Sequence, residues 1–306
     1  MALIVFTIPG SVAGLPDSMA TLPQLMRKSG YSAHMVGKWH LGHSQRKQTP
    51  VGRGFESHTG GYMWSLESYT KLMWKRPWEV LAADWAESTE NGPTRHFLEP
   101  RHATIAITET SIEVMKNHHG DKPLFLYVSY NAAHSPLQSE PSWDRKCSHI
   151  PHLWRREYCG LMVGLDEAVG KLEEEARRKL GDNTVIVITS DNGGSTWFGG
   201  VNAPLRAGKV TPFEGGVRVP ALALDLSGGV YLGQGDRDVK EMIHVSDWMP
   251  TFLGLAGGSN LVEGLSLDGM DQGGVLRGRG TGRENLLLDA FTEHDSHDGQ
   301  WVRAFR

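Results

Sequence analysis

The chain has 306 residues, of which 39% are hydrophobic and 22% charged, and its formal net charge at pH 7 is −4. This composition is typical of a globular protein with one large domain or two small ones. No basic stretch stands out that could neutralise phosphates, which argues against a nucleic-acid-binding protein. No apolar run reaches the roughly 20 residues that span a bilayer, so we predict no membrane span.

Two features bear on whether the protein is exported. Residues 2–8 form a short apolar run that loosely resembles a signal peptide, but no positive charge precedes it and the run is at the short limit. We therefore favour the interpretation that it is not a signal. The two cysteines, Cys147 and Cys159, could pair or stay reduced, and they are too few for a disulfide framework.

Hydrophobic periodicity predicts helices and strands that alternate along most of the chain. Helices are predicted over residues 21–30, 103–117, 155–180 and 247–258, and strands over 31–37, 123–130 and 184–190. The last strand is apolar throughout, which predicts burial on both faces. Residues 60–101 contain four tryptophans without a clean period, and we interpret them as loop and short helix. The alternation predicts an α/β domain with a mainly parallel central sheet and helices on both faces.

Residues 36–43, VGKWHLGH, place a lysine and a histidine two positions apart after the first strand. In an extended segment, side chains two apart point to the same face. Lys38 and His40 would then aim a permanent cation and a titratable imidazole at one spot.

The other two predicted strands also end in polar groups. His134 follows the second strand, and Asp191 and Asn192 directly follow the third, with two glycines after them. Ligand crevices of open α/β sheets lie beyond the carboxyl ends of the strands, so one crevice could collect all these groups. Asp191 and Asn192 supply oxygen donors suited to Ca²⁺ or Mg²⁺.

A glycine-rich loop, residues 204–220, adds Arg206 and Lys209, cations suited to an anionic tetrahedral substrate such as sulfate or phosphate. Each group alone has a plainer interpretation. An Asp-Asn-Gly sequence after a strand is usually a turn, His134 could be structural, and Lys209 could be an ordinary loop cation. Their shared position after predicted strands favours a site.

Seven segments of the chain together resemble the sulfatase family, most closely its arylsulfatase B, I and J group. The segments, in the family's order over roughly positions 15–270, are LPQLMRKSGYSAHMVGKWHLGH, RGFESHTGG, KPLFLYVSYNAAHSPLQ, LMVGLDEAVG, VIVITSDNGGSTWFGG, PLRAGKVTPFEGGVRVP and HVSDWMPTFLGLAGG.

The resemblance implies an alkaline-phosphatase-like α/β fold and hydrolysis of sulfate esters, either small molecules or sulfated glycans, in a lysosomal or secreted protein. It implies a calcium ion, sometimes reported as magnesium, with Asp191 and Asn192 as one pair of ligands. Lys38 and Lys209 match the family's cations on the sulfate oxygens. His134 matches the group at the sulfate and leaving oxygens, and His40 matches the histidine that faces the formylglycine nucleophile.

The sequence departs from the family at the nucleophile. The family makes formylglycine from a cysteine in a C-x-P-x-R sequence, and neither that sequence nor S-x-P-x-R occurs here. The family's first strand, which ends in two aspartates that bind the metal, is also missing before the helix at residues 21–30. These absences predict a weakened metal site.

We therefore expect a chain truncated at both ends. Residues 1–278 form the α/β domain, which lacks the N-terminal strand, and residues 279–306 begin a C-terminal subdomain. Two interpretations stay open: a piece of an active sulfatase, or a non-catalytic relative that binds sulfated sugars or a protein. A phosphoesterase of the same superfamily fits less well, because residues 37–42 and 204–220 resemble sulfatases specifically.

Overall fold

A computed structural model describes residues 12–63, 67–76, 79–290 and 303–305 of the chain. The signal-like run at residues 2–8 lies outside the described residues. Two compact units divide the chain: the first comprises Met1–Gly181 and Ala256–Leu261, and the second comprises Asp182–Leu255 and Val262–Arg306. The predicted division at residue 278 stays a prediction.

A five-stranded sheet, in the order β6-β5-β2-β1-β7, is the centre of the first unit. Its elements in chain order are α1 (Leu22–Lys28), β1 (Ser32–Gly37), β2 (Ser57–Gly60), β3 (Leu72–Arg76), β4 (Glu79–Ala83), β5 (Ala86–Thr89), β6 (Arg95–His96), α2 (Ala103–Asn117), β7 (Leu124–Ser129), α3 (Pro141–Lys146) and α4 (Leu153–Lys179), with β3 and β4 forming a separate hairpin. The sheet confirms the α/β class, and it is mixed: β1 runs parallel to both β2 and β7, whereas β5 pairs antiparallel with β2 and with β6.

Side-chain alternation along β1 produces a core on each face of this sheet. Met35 packs on one face in a cluster with Trp39 and Phe55. Val36, the next residue, packs on the other face with Ile107 of α2. The apolar face of α2 thus packs on the sheet, as the periodicity predicts.

The prediction of loop and short helix over residues 60–101 is wrong, because this region contains β3, β4, β5 and β6. The β5 strand shows a strict alternation of buried and exposed residues, but it is only four residues long. So short a pattern is hard to separate from loop in one sequence. Antiparallel pairing of β5 with β2 supplies the hydrogen bonds that decide its conformation.

A disulfide joins Cys147, which caps the C-terminus of α3, to Cys159 within α4. The sequence leaves open whether the two cysteines pair or stay reduced, and the structure shows that they pair. Helix α4 packs on both α3 and α2, so the crosslink fixes α3 to the helical layer of the first unit.

The second unit contains two separate two-stranded sheets. Its elements are β8 (Val185–Thr189), α5 (Glu214–Val217), β9 (Ala221–Asp225), α6 (Trp248–Leu255), α7 (Gly273–Leu276), β10 (Leu287–Ala290) and β11 (Arg303–Phe305). Among the described residues β8 pairs only with β9, and antiparallel, so the prediction that it joins the parallel sheet is wrong. The residues of β8 are half-buried or exposed rather than buried on both faces, because one edge of the strand has no partner strand there.

None of the described helices has the length and apolar composition needed to cross a membrane.

Candidate functional site

The carboxyl ends of β1 and β7 lie side by side in the first unit. Gly37, the last residue of β1, is in register with Ser129, the last residue of β7. The Lys38 N–H donates to the Ser129 carbonyl at 2.9 Å. Parallel pairing therefore places the Lys38 segment next to the residues that follow β7 and lead to His134, as the sequence predicts.

Gly37 makes this close approach of the two strands feasible. Its φ is 110°, and a Cβ at this position would lie 1.9 Å from the Ser129 carbonyl oxygen. A residue with a side chain would push β1 and β7 apart, because its Cβ would collide with the Ser129 carbonyl oxygen. The positive φ would also strain any residue other than glycine. Gly37 thus sets the position at which Lys38 leaves the sheet.

Trp39 anchors the segment between Lys38 and His40. Its indole is buried and donates to the carbonyls of Gly42 and Gln48, at 3.0 Å and 2.8 Å. The flanking Lys38 and His40 are half-buried. The prediction from residue spacing is therefore correct in part, because Trp39 is buried and the residues on either side of it, Lys38 and His40, are more exposed.

His40 departs from the extended backbone that the sequence argument assumes. Its φ is 60°, in the left-handed region that is uncommon for residues other than glycine. Its N–H donates to the Tyr62 carbonyl at 2.9 Å, next to the bond from Trp39 N–H to the Gly61 carbonyl. The hydrogen bond to the segment after β2 therefore determines the backbone conformation of His40. The alternation of side chains in an extended strand does not describe this residue.

Two buried side chains that sequence reasoning missed hold this arrangement in place. Asp84 accepts the backbone N–H groups of Tyr62 and Met63 at 2.9 Å and 2.8 Å, and burial raises the pKa of its carboxyl. His58 lies 3.0 Å from the Gly37 carbonyl through Nε2. The imidazole is buried under the end of β1.

His134 follows β7 and is half-buried, with Nδ1 2.7 Å from the carbonyl oxygen of Ser135. A carbonyl can only accept, so Nδ1 carries the proton of this bond. In the neutral imidazole Nε2 is then the basic nitrogen, and in the charged form it is a donor.

The Asp191 and Asn192 pair follows β8 in the second unit. Asp191 is exposed, and Asn192 is half-buried with Nδ2 donating to the Gly193 carbonyl at 2.9 Å. A Cβ on Gly193 would lie 1.8 Å from the Gly215 carbonyl oxygen, so glycine is required where the two loops meet.

Lys209 lies next to this turn, because its N–H donates to the Gly194 carbonyl at 3.2 Å. Asn202 ties the two loops together: Oδ1 accepts the Gly194 N–H, and Nδ2 donates to the carbonyls of Gly194 and Ala207. Sequence reasoning missed Asn202, which lies in loop and carries no local signal. The structure thus brings the Lys209 loop to the Asp191–Asn192 turn, as the sequence analysis expects for one site.

The family model described as Sulfatase matches residues 4–259. The chain belongs to the sulfatase family.

Curated sulfatases support the same conclusion. Arylsulfatase J of Mus musculus is 36% identical over 258 residues, which cover 84% of this chain and 42% of that protein. N-acetylgalactosamine-6-sulfatase of Homo sapiens is 29% identical over 317 residues, which cover 96% of this chain and 57% of that protein. The chain spans about half the length of these curated relatives.

Solved sulfatase structures share the fold. The crystal structure of Ps i-CgsB in complex with k-i-k-neocarrahexaose superposes with a TM-score of 0.79 at 28% identity, covering 91% of this chain and 63% of that one. The PsFucS1 sulfatase from Pseudoalteromonas sp. has a TM-score of 0.76 at 22% identity, covering 92% and 60%. The predicted alkaline-phosphatase-like sulfatase fold is confirmed.

The sulfatase family binds a divalent metal, and the donors of this chain fit that metal in kind. Asp191 and Asn192 offer hard oxygen atoms, but Ca²⁺ takes six to eight oxygen ligands. Within the described part of the chain no group of three or more His, Cys, Asp or Glu side chains could hold a metal ion. These two residues alone do not complete a site.

Proposed function

We propose that this chain belongs to the substrate-binding machinery of a sulfuric ester hydrolase of the arylsulfatase type. The observation that carries the proposal is the Lys38–Trp39–His40 segment, which hydrogen bonds fix to the ends of β7 and β2 in a chain that belongs to the sulfatase family. The names of the relatives favour a sulfated sugar as substrate, since two of them are an N-acetylgalactosamine-6-sulfatase and a protein solved with neocarrahexaose.

The proposed roles follow from the charge that develops during the reaction. Negative charge grows on the sulfate oxygens and on the leaving oxygen, and fixed cations there stabilise the transition state more than the ground state. Lys38 and Lys209 would bind sulfate oxygens. His134, with its proton fixed on Nδ1, would use Nε2 at the leaving oxygen, and His40 would face the nucleophile and move its proton.

The proposed metal is Ca²⁺ or Mg²⁺, and Asp191 and Asn192 would hold it together with ligands beyond this pair. Such an ion would add positive charge at the sulfate. We also propose a lysosomal or secreted location, because the disulfide between Cys147 and Cys159 is stable in oxidising compartments and rare in the cytosol.

A second candidate function is a sulfated-ligand-binding protein without turnover. The observation that favours it is that the 306 residues contain neither C-x-P-x-R nor S-x-P-x-R, so they contain no residue to convert to formylglycine. Both candidates require Lys38 to bind a sulfate ester, and they differ in hydrolysis.

The test compares the purified 306-residue chain with Lys38→Ala in binding and in turnover. Isothermal titration with a sulfated monosaccharide should show an affinity about tenfold to a hundredfold lower for the variant, because a hydrogen bond to a charged group contributes roughly 1.5–3 kcal/mol. Hydrolysis of an aryl sulfate should be no faster for the original chain than for Lys38→Ala.

Lys28→Ala is the matched control, because Lys28 is an exposed lysine at the end of α1 in the same unit. Equal affinity of all three proteins would contradict the proposed role of Lys38. Clear hydrolysis that disappears in Lys38→Ala would show that these residues supply their own nucleophile, and would exclude the binding-protein alternative.

A further inference from the structure

Large apolar side chains are exposed around the Lys209 loop in the second unit. Trp197 lies in a short turn, Thr196–Phe198, that follows β8, and it is 70% exposed. Phe198 in the same turn is 41% exposed, and Val210 and Phe213 of the neighbouring loop are 76% and 41% exposed. We call Trp197 and Phe198 the aromatic turn.

The aromatic turn and the Lys209 loop are held together. The Lys209 N–H donates to the Gly194 carbonyl, and the Asn202 side chain bridges Gly194 to Ala207. A Cβ on Gly208 would lie 3.3 Å from Cγ2 of Thr196, which directly precedes Trp197. These contacts therefore hold the chain of the aromatic turn next to the chain of the Lys209 loop.

Residues 191–218, which include the aromatic turn, contain three cations and two carboxylates. The Arg206 guanidinium lies 4.0 Å from the centre of the Phe213 ring, a cation–π distance. The nearby carboxylate of Glu214 is paired with Arg218 at 3.2 Å. Arg206 and Lys209 thus make the loop next to the aromatic turn cationic, which suits a ligand with an anionic group and an apolar face.

We propose that the aromatic turn is the sugar-stacking subsite of a sulfated glycan whose sulfate ester binds at Lys209. This rests on the proposed function and extends it, because it assigns a residue to the recognition of the sugar. A pyranose ring presents C–H groups on its faces and hydroxyls on its rim, so an indole can cover a face while the rim stays in water. Trp197 supplies the large rigid surface, and Phe198 extends it.

A glycan explains the surface better than a second protein molecule. A stable protein interface takes about 20–30 residues a side, whereas this surface consists of a few side chains on two loops. A sulfated sugar needs only a ring platform and a neighbouring cation, and both are present. A sulfatase that is 28% identical to this chain was solved with neocarrahexaose, which makes an oligosaccharide the natural probe.

The test is isothermal titration of the full 306-residue chain with a sulfated neocarrahexaose and with inorganic sulfate. Trp197→Ala should weaken oligosaccharide binding by about tenfold, as for loss of stacking on one aromatic side chain, and leave sulfate binding unchanged. Trp197→Phe should restore most of the affinity, because it keeps a ring at this position. Trp154→Ala is the matched control, since Trp154 is another exposed tryptophan, on α4, and its loss should change neither affinity.

The outcomes separate this inference from the proposed function. If the original chain binds neither probe, the proposed function itself fails. If it binds both and Trp197→Ala binds the oligosaccharide as tightly as before, the stacking subsite is wrong. Self-association in sedimentation that Trp197→Ala abolishes, with oligosaccharide affinity unchanged, would assign the surface to a second copy of the chain and overturn the proposal.

Discussion

Lys71 shows how far one residue can depart from what its type predicts. Its side chain is fully buried, its φ is 56°, and Nζ lies within hydrogen-bond distance of the carbonyl oxygens of Ser68, Tyr69, Glu99 and Arg101. A lysine is almost never fully buried unless its charge is compensated. Four carbonyl dipoles compensate it here, and the residue thereby ties the chain before α2 to the loop before β3.

Burial lowers the pKa of Lys71 to about 8; Arg101 lowers it further and Glu99 opposes the shift. Between pH 8 and the unfolded value of about 10.4, the unfolded chain binds the proton more strongly than the folded chain, so this lysine makes stability rise with pH. Relative to Lys71→Met, the free energy of unfolding of the original chain should rise between pH 8 and 10, by up to about 1.4 kcal/mol per pH unit. Urea titrations at several pH values measure this slope, and parallel curves for the two proteins would refute it.

At the scale of the element, the end of β1 is fixed by neighbours from other parts of the chain. Gly37 contacts Ser129 of β7, and His58 of β2 bonds to the Gly37 carbonyl through Nε2. Burial lowers the pKa of His58 to about 4, so the imidazole is neutral in the folded chain. The Lys38 segment begins at this junction, so its position depends on a buried histidine of β2.

Because the pKa of folded His58 lies below its unfolded value of about 6.5, its contribution to stability is complete above pH 6.5 and is lost as the pH falls toward 4. The variant His58→Gln keeps a donor but cannot titrate. It should be less stable at pH 7.5, yet lose less stability than the original chain between pH 6.5 and 4, as followed by chemical unfolding.

His119→Gln provides the comparison, because His119 is exposed in the loop after α2. This variant should lose as much stability between pH 6.5 and 4 as the original chain does. If His58→Gln and the original chain lose the same stability between pH 6.5 and 4, protonation of His58 does not cause the loss of stability in acid.

At the scale of the whole molecule, two compact units each carry part of the residues that the resemblance assigns to the site. Lys38, His40 and His134 belong to the first unit, and Asp191, Asn192 and Lys209 to the second. Backbone hydrogen bonds fix Lys38 to the end of β7 in the first unit and Lys209 to the turn after β8 in the second. The proposed site assignment can therefore be tested unit by unit with single substitutions.

The disulfide is the covalent constraint on the first unit. Cys147 and Cys159 are separated by 12 positions, and closing a loop of this size in the unfolded chain stabilises the fold by about 3 kcal/mol in the chain-entropy model. The double variant Cys147→Ser, Cys159→Ser should lose stability of about that size in urea unfolding. Reduction should destabilise the original chain similarly and leave the double variant unchanged; equal stability of both proteins without reductant would contradict the prediction.

The sequence by itself determined the long periodic elements and the family. The helix predicted over residues 103–117 is α2 to the residue, and the strand predicted over 123–130 is β7 within one residue at each end. Helix α2 buries its apolar face, and β7 packs Phe125 and Leu126 against the two core clusters, so local sequence suffices to specify them. The seven family segments likewise indicated the sulfatase fold without any coordinates.

Only the tertiary structure decided the elements whose hydrogen bonds come from elsewhere in the chain. Four short strands over residues 72–96 depend on antiparallel partners, and β8 pairs with β9 rather than with the parallel sheet. The left-handed His40 follows from its bond to the Tyr62 carbonyl. Because backbone pairing and close glycine contacts connect positions far apart in sequence, no local pattern can specify them.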